Sequence, residues 1–149
     1  EALVFAHAAA ERINSQPLPS GNKISFPEVP PLEMPTNAND SEMVLIAYNW
    51  DIIRRLMWNY VGIVRKNSRL KLAQNHLAQI QREINEHYPN ISLNSDLIEL
   101  RNLATVAELI VNCALKRRES RGLHFNVDHP QKDDEHWLRD TVIQLNQWT

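Results

Sequence analysis

The sequence predicts an all-α protein built around an antiparallel three-helix bundle of the spectrin-repeat kind. Three long segments within residues 42–130 repeat apolar residues at steps of three and four, a spacing that keeps one helix face toward its neighbours. The connections between these segments are short, which favours antiparallel packing. Six of the eight prolines lie within residues 15–41, where they separate an extra N-terminal helix from the bundle.

The N-terminal helix is predicted for residues 1–14, and its helical pattern is already present at Glu1 without a preceding cap. We therefore expect the chain to be a piece of a larger protein. Alanines at positions 6, 8, 9 and 10 make one part of this helix small enough for close packing, so we expect self-association through it. The proline-rich residues 15–41 are predicted to form an extended, irregular linker.

The first bundle helix should begin near residues 39–41, where three residues in succession can act as an N-cap. Gly62 lies inside its apolar pattern, which indicates close contact with another helix. The predicted stripe is Met43, Ile46, Trp50, Ile53, Met57, Tyr60 and Val64.

The second helix should begin near Asn67 and end before Pro89, with a polar outer face and one apolar stripe. That stripe is Leu70, Ala73, Leu77, Ile80 and Ile84. The third helix should begin near residues 94–96 and carry two stripes, so its second face should need a further partner. The first stripe is Leu97, Leu100, Ala104, Ala107, Val111 and Ala114; the second is Leu103, Val106, Ile110 and Cys113.

Residues 131–149 are predicted to form an irregular tail, in which residues 142–145 fit either a short strand or a helical turn.

The overall composition argues against some classes of function. A net charge of −2 argues against a general nucleic-acid or membrane-surface binder. The single cysteine permits no intrachain disulfide and fits a reducing compartment.

A polar cluster after the third helix is the candidate functional site. Cations at a helix C-terminus would explain residues 116–118 through the helix dipole, but not the alternating charges around a glycine that follow. We interpret this cluster as a domain interface. Its predicted members are Arg118, Glu119, Ser120, Arg121, Gly122 and His124.

Two other sites are less favoured. Cys113 lies on an apolar stripe without a histidine at helical spacing, which is typical of a core thiol rather than a nucleophile. A group of histidines and aspartates could be metal ligands, but its spacing fits no standard site. That group is His124, His129, His136, Asp128, Asp133 and Asp134. No standard catalytic motif is found in the sequence, and we predict no metal-binding residue in this chain.

Three stretches of the sequence resemble a known family. RESRGLHF at residues 118–125, followed by DHP at 128–130, is similar to the C-terminal signature of flavoproteins that oxidise succinate, reduce fumarate or oxidise L-aspartate. MWNYVGIVR at 57–65 and LIELRNLATVAELI at 97–110 resemble the same family, and specifically its L-aspartate-oxidising branch. DDEHWL at 133–138 instead resembles the succinate dehydrogenase flavoprotein.

The resemblance implies a cytoplasmic enzyme that uses FAD to oxidise L-aspartate to iminoaspartate, which quinolinate synthase consumes on the way to NAD. Residues 1–13 resemble the helix after the family's flavin-contacting stretch, which is absent from this sequence. The family's catalytic residues are expected upstream as well, so the resemblance implies no catalytic and no cofactor-binding residue in this chain. FAD is thus expected in the full-length enzyme and not in this chain, whose partners would be its own FAD-binding and capping domains. The alternatives are the same domain of a succinate dehydrogenase or fumarate reductase, and a stand-alone helical interaction module.

Overall fold

The computed structural model describes residues 2–16, 28, 43–87 and 95–144. The chain divides into two compact units, Glu1–Leu32 and Glu33–Thr149. The predicted linker at 15–41 lies almost wholly outside the described residues. In the first unit, α1 spans Ala2–Ser15, which confirms the N-terminal helix. No helix in the described ranges is both long and apolar enough to cross a bilayer.

The second unit contains the bundle, formed by α2 (Met43–Tyr60), α3 (Asn67–His87) and α4 (Ser95–Lys116). Each of these helices packs against the other two around one apolar core. The predicted stripe of α3 and the first stripe of α4 are buried at every position, which confirms both. Burial of these aliphatic side chains is the main force that holds the three helices together.

The first bundle helix ends earlier than predicted. It stops at Tyr60, and Val64, assigned to its apolar stripe, is exposed and lies in a short strand instead. Gly62 is therefore beyond the helix and not at a helix contact. A Cβ atom there would meet only the Trp58 carbonyl, at 3.2 Å. Leu56 is a buried core residue that the predicted stripe omitted.

A two-stranded parallel sheet, which the sequence pattern did not predict, links the two ends of the bundle region. Strand β1 is Val64–Arg65 and β2 is Phe125–Asn126, with Val64 opposite Phe125. Amide hydrogen bonds from Phe125 to the Ile63 carbonyl (3.3 Å) and from Val127 to the Arg65 carbonyl (2.9 Å) complete it. The sheet fixes the segment after α4 beside the start of α3.

The second stripe of α4 is only partly buried, as Val106 is 51% and Ile110 is 41% exposed. In the tail, Asp134–Trp137 forms a short helix, α5, capped by the Asp133 side chain. Residues 142–144 are neither a strand nor a helical turn, so both readings of that segment are wrong there; residue 145 lies outside the described residues.

Candidate functional site

A tight turn shapes the loop that follows α4. Arg121 and His124 exchange backbone hydrogen bonds of 2.9 and 3.0 Å across Gly122 and Leu123. Gly122 has φ of 58°, in the left-handed region that favours glycine, whereas no described non-glycine residue has positive φ. Positive φ at only the first central position is the pattern of a type II′ turn. The backbone therefore reverses its direction between Arg121 and His124.

Glu119 is the centre of the loop and is completely buried. Its Oε1 atom accepts a hydrogen bond from Arg121 Nε at 2.8 Å, and its Oε2 atom accepts from Arg121 Nη2 at 3.0 Å. Arg117 forms a second ion pair with Glu119, and the Asp133 amide donates to Oε2 at 3.0 Å. These partners compensate the burial of the charge.

The same partners set the protonation of the cluster. The hydrogen bond from Arg121 is the largest cause that lowers the pKa of Glu119, from 4.5 to about 2, although burial opposes it. The hydrogen bond to Glu119, with a further one to Asp134, raises the pKa of Arg121. A carboxylate held in this way is a fixed anion and cannot act as a proton-transferring acid or base near neutral pH.

Arg117 fastens the tail to the end of α4. Its guanidinium group donates to the Trp137 carbonyl at 3.1 Å, to the Thr141 hydroxyl at 3.1 Å and to the Arg139 carbonyl. It also lies 5.8 Å from the centre of the Trp137 ring, within range of a cation–π interaction. Residues 137–141 are therefore attached to the bundle by one side chain.

A second polar network joins the loop to the start of α3. Asn126 is fully buried. Its side-chain amide donates to Asn67 Oδ1 at 2.8 Å, and its backbone amide donates to Ser120 Oγ at 2.9 Å. Asp128 Oδ2 accepts the Asn67 backbone amide at 2.7 Å. Since Asn67 is the first residue of α3, Asp128 caps that helix from a distant part of the chain.

His124 faces Arg65 on β1. Arg65 Nη1 lies 2.7 Å from His124 Nδ1, and since a guanidinium group can only donate, Nδ1 must accept and the neutral ring carries its proton on Nε2. Burial lowers the pKa of His124, and the positive charge of Arg65 lowers it further. His124 is thus a neutral bridge in this site.

The predicted site residues lie together in the loop, but they differ in burial. Glu119 and Ser120 are buried and Arg121 is partly buried, whereas Arg118 and Gly122 are exposed. Glu119, Arg121 and His124 all make hydrogen bonds or ion pairs, within the loop or with β1. The interface role itself stays a prediction.

Sequence reasoning missed four members of the site: Arg65, Asn67, Arg117 and Asn126. An Asn just after the predicted end of the loop and another at a predicted helix start were the available signals. Cys113 is partly exposed at the side of α4, so it is not a core residue as interpreted from the sequence. In the part of the chain that the structure describes, no three His, Cys, Asp or Glu side chains are grouped to hold a metal ion.

Two open grooves follow the second stripe of α4. One, of about 430 Å³, lies between Trp50 and Arg54 of α2 and Leu103 and Val106 of α4. The other, of about 320 Å³, lies between the C-terminal half of α4 and the loop, with Arg65 and His124 on its wall. These grooves and the exposed part of the stripe form an apolar surface along α4.

Comparison with known proteins identifies the family of this chain. Residues 51–149 match the family described as the C-terminal part of the fumarate reductase flavoprotein. The chain belongs to this family. The match includes α3, α4 and the whole Glu119 loop, so the polar site described above is part of a flavoprotein C-terminal domain.

Three relatives are named L-aspartate oxidases. The protein of Pseudomonas aeruginosa is 44% identical over 147 residues, which is 96% of this chain and 26% of that protein. L-aspartate oxidase 1 of Ralstonia nicotianae is 47% identical over 131 residues, 88% of this chain and 24% of the relative. The Acinetobacter baylyi protein is 40% identical over 143 residues, 96% and 25% respectively. The chain therefore spans about a quarter of the length of these curated relatives.

Proposed function

We propose that this chain is the C-terminal helical domain of an FAD-dependent L-aspartate oxidase. The observation that carries the proposal is the 40–47% identity to three proteins of that name over 88–96% of the chain. The proposed reaction is the two-electron oxidation of L-aspartate to iminoaspartate, with FAD as the electron acceptor. The product would serve quinolinate synthase in NAD biosynthesis, in the cytoplasm.

The residues of this chain do not fit FAD. Its three glycines, at positions 21, 62 and 122, cannot make the glycine-rich phosphate loop of a dinucleotide-binding fold. The described grooves are open apolar surfaces beside helices and lack such a loop. In the proposed enzyme, FAD and the substrate are therefore bound by another part of the polypeptide, and we assign no catalytic step to this domain.

The proposed role of this domain is to support the FAD-binding and capping domains. Its loop is rigid enough for that role, because Glu119 is held by Arg117, Arg121 and the Asp133 amide. Arg118, Gly122 and His124 belong to the same loop, which we propose as part of the domain interface. The helix α1 would be the last helix of the FAD-binding domain.

The function is tested with the full-length natural protein, purified with its flavin. Mixing it with L-aspartate without oxygen should bleach the flavin absorbance in a single turnover, and succinate at the same concentration should not. Bleaching by succinate alone would contradict the proposal and favour a succinate dehydrogenase or fumarate reductase, the second candidate because the matched family is named for fumarate reductase. Failure with both substrates would reject either enzyme.

A further inference from the structure

The groove between α4 and the loop contains a cation without an anion. Arg65 is partly buried at its wall, and its Nε atom donates to the carbonyls of Val61 (3.3 Å) and Gly62 (2.9 Å), just beyond the end of α2. Its Nη1 atom points to the neutral ring of His124. Among the described residues, the ion pairs include no carboxylate for Arg65.

No negative charge among the described residues therefore offsets the free-energy cost of burying the Arg65 guanidinium group. Burial alone lowers the pKa of Arg65, with no opposing contribution from a nearby acid. Placing an ionised side chain in a partly dry site costs free energy unless an opposite charge or further hydrogen bonds compensate it. Arg117 and Arg121 differ from Arg65 in this respect, because each of them pairs with the carboxylate of Glu119.

The Nε2 atom of His124 is a second buried polar atom at this groove. His124 Nε2 is buried and makes no hydrogen bond of ordinary geometry with the described residues, although the Arg117 backbone is close enough to favour a protonated ring. Since Nδ1 accepts from Arg65, Nε2 carries the hydrogen and is a donor. One wall of the groove therefore has the positive charge of Arg65 beside a neutral histidine ring, whose Nε2 atom is buried next to the Arg117 backbone.

Apart from Arg117, which is paired with Glu119, and Thr141, the rest of the groove lining is apolar. Leu109, Ile110 and Ala114 of α4 form its floor, and Ile110 is 41% exposed. An apolar floor beside an unpaired guanidinium group is complementary to a segment that carries a carboxylate next to an aliphatic or aromatic side chain.

We propose that this groove binds an acidic residue and its apolar neighbour from the remainder of the same polypeptide, and that Arg65 pairs with that carboxylate. The proposal rests on the proposed function. About three quarters of each curated relative lies outside the matched part. In the proposed enzyme, a covalently linked partner would therefore be present at high effective concentration. Val106 and Ile110 on the second stripe of α4 would be covered by the same contact.

Cys113 gives a native reporter, because it lines this groove and is the only cysteine of the 149 residues. Its alkylation by iodoacetamide is followed by mass spectrometry of the peptide that contains it, in the full-length protein and in the 149-residue chain. The ratio of the two rates cancels the intrinsic reactivity of the thiol. We expect alkylation to be at least about tenfold slower in the full-length protein, since it requires local opening of the contact.

Two variants test the pairing. Arg65→Met should raise the full-length rate about tenfold, toward the rate of the 149-residue chain, and the exposed Arg69→Met is the matched control that should change nothing. Because Arg65 also caps α2, Ile110→Glu provides an independent variant. It leaves the contacts of Arg65 in place, puts a carboxylate in the groove and repels the incoming one, so it should abolish the protection as well.

A ratio near one for the wild-type protein would overturn the proposal. Protection that is already present in the 149-residue chain and grows with protein concentration would also overturn it, because the occupant would then be a second copy. Turnover of L-aspartate is measured on the same full-length sample. Loss of that activity with intact Cys113 protection would reject the function and leave the groove contact standing, whereas activity without protection would do the reverse.

Discussion

Replacement of Asp128 tests whether the loop after α4 stabilises the start of α3. The Oδ2 atom of Asp128 accepts the backbone amide of Asn67, the first residue of α3, at 2.7 Å. Loss of a capping side chain costs about 0.5–2 kcal/mol, and loss of a negative charge beside a helix N-terminus costs about 0.3–1 kcal/mol. We expect Asp128→Ala to lower the free energy of unfolding by about 1.5 kcal/mol.

The measurement is urea denaturation followed by helical circular dichroism, with the Asn variant to separate the two contributions. Asp128→Asn keeps an acceptor oxygen and loses the charge, so it should cost about 0.5 kcal/mol. Asp140→Ala removes an exposed carboxylate of the tail and should change the free energy by less than about 0.5 kcal/mol. Amide exchange at residues 67–70 should quicken in the Ala variant. Equal stability of Asp128→Ala and wild type, with unchanged exchange there, would refute the capping argument.

Two further predictions concern buried polar groups. Because the pKa of Glu119 is lowered from 4.5 to about 2, the contribution of its ion pairs to stability is complete above pH 4.5 and is lost as the pH falls toward 2. The difference in urea midpoint between wild type and Glu119→Gln should therefore disappear over this pH range. A difference that stays constant with pH would contradict the pairing. Both side-chain amide atoms of the buried Asn49 lack a hydrogen-bond partner among the described residues, so Asn49→Leu should raise the free energy of unfolding by about 1 kcal/mol, while Leu at the exposed Asn75 should leave it unchanged. A loss of stability in Asn49→Leu would show that the amide is paired in solution.

The bundle was predictable because its signal is local. On α3 and α4, each buried position follows from the step of three or four to its neighbour, and Leu70, Leu77 and Val111 are buried as the pattern predicts. The end of α2 was not predictable in this way. Val64 continues the apolar spacing, but a parallel strand pair with Phe125 competes for its backbone, and such a pairing leaves no periodic trace in two residues.

The candidate site was predictable as a cluster but not as a network. The alternating charges around Gly122 marked the loop, and the resemblance to the flavoprotein family gave it a context. The contacts that organise it join residues far apart in sequence, as in Arg65 with His124 and Asp128 with Asn67. A tertiary hydrogen bond of this kind depends on how the chain folds back, which no spacing within one segment encodes.

The central claim is that the Glu119 loop supports the flavin-binding part of the enzyme and performs no chemistry. It is tested most directly with Arg121→Ala in the full-length protein, with Arg82→Ala, at an exposed position of α3 outside the loop, as control. Bound flavin per chain and thermal stability are measured beside the rate of flavin reduction by L-aspartate in the fraction that retains flavin. The account predicts that Arg121→Ala lowers stability or flavin content while the reduction rate of the loaded enzyme stays within about threefold of wild type. Normal stability and full flavin content with abolished reduction would contradict it and show that the loop is catalytic.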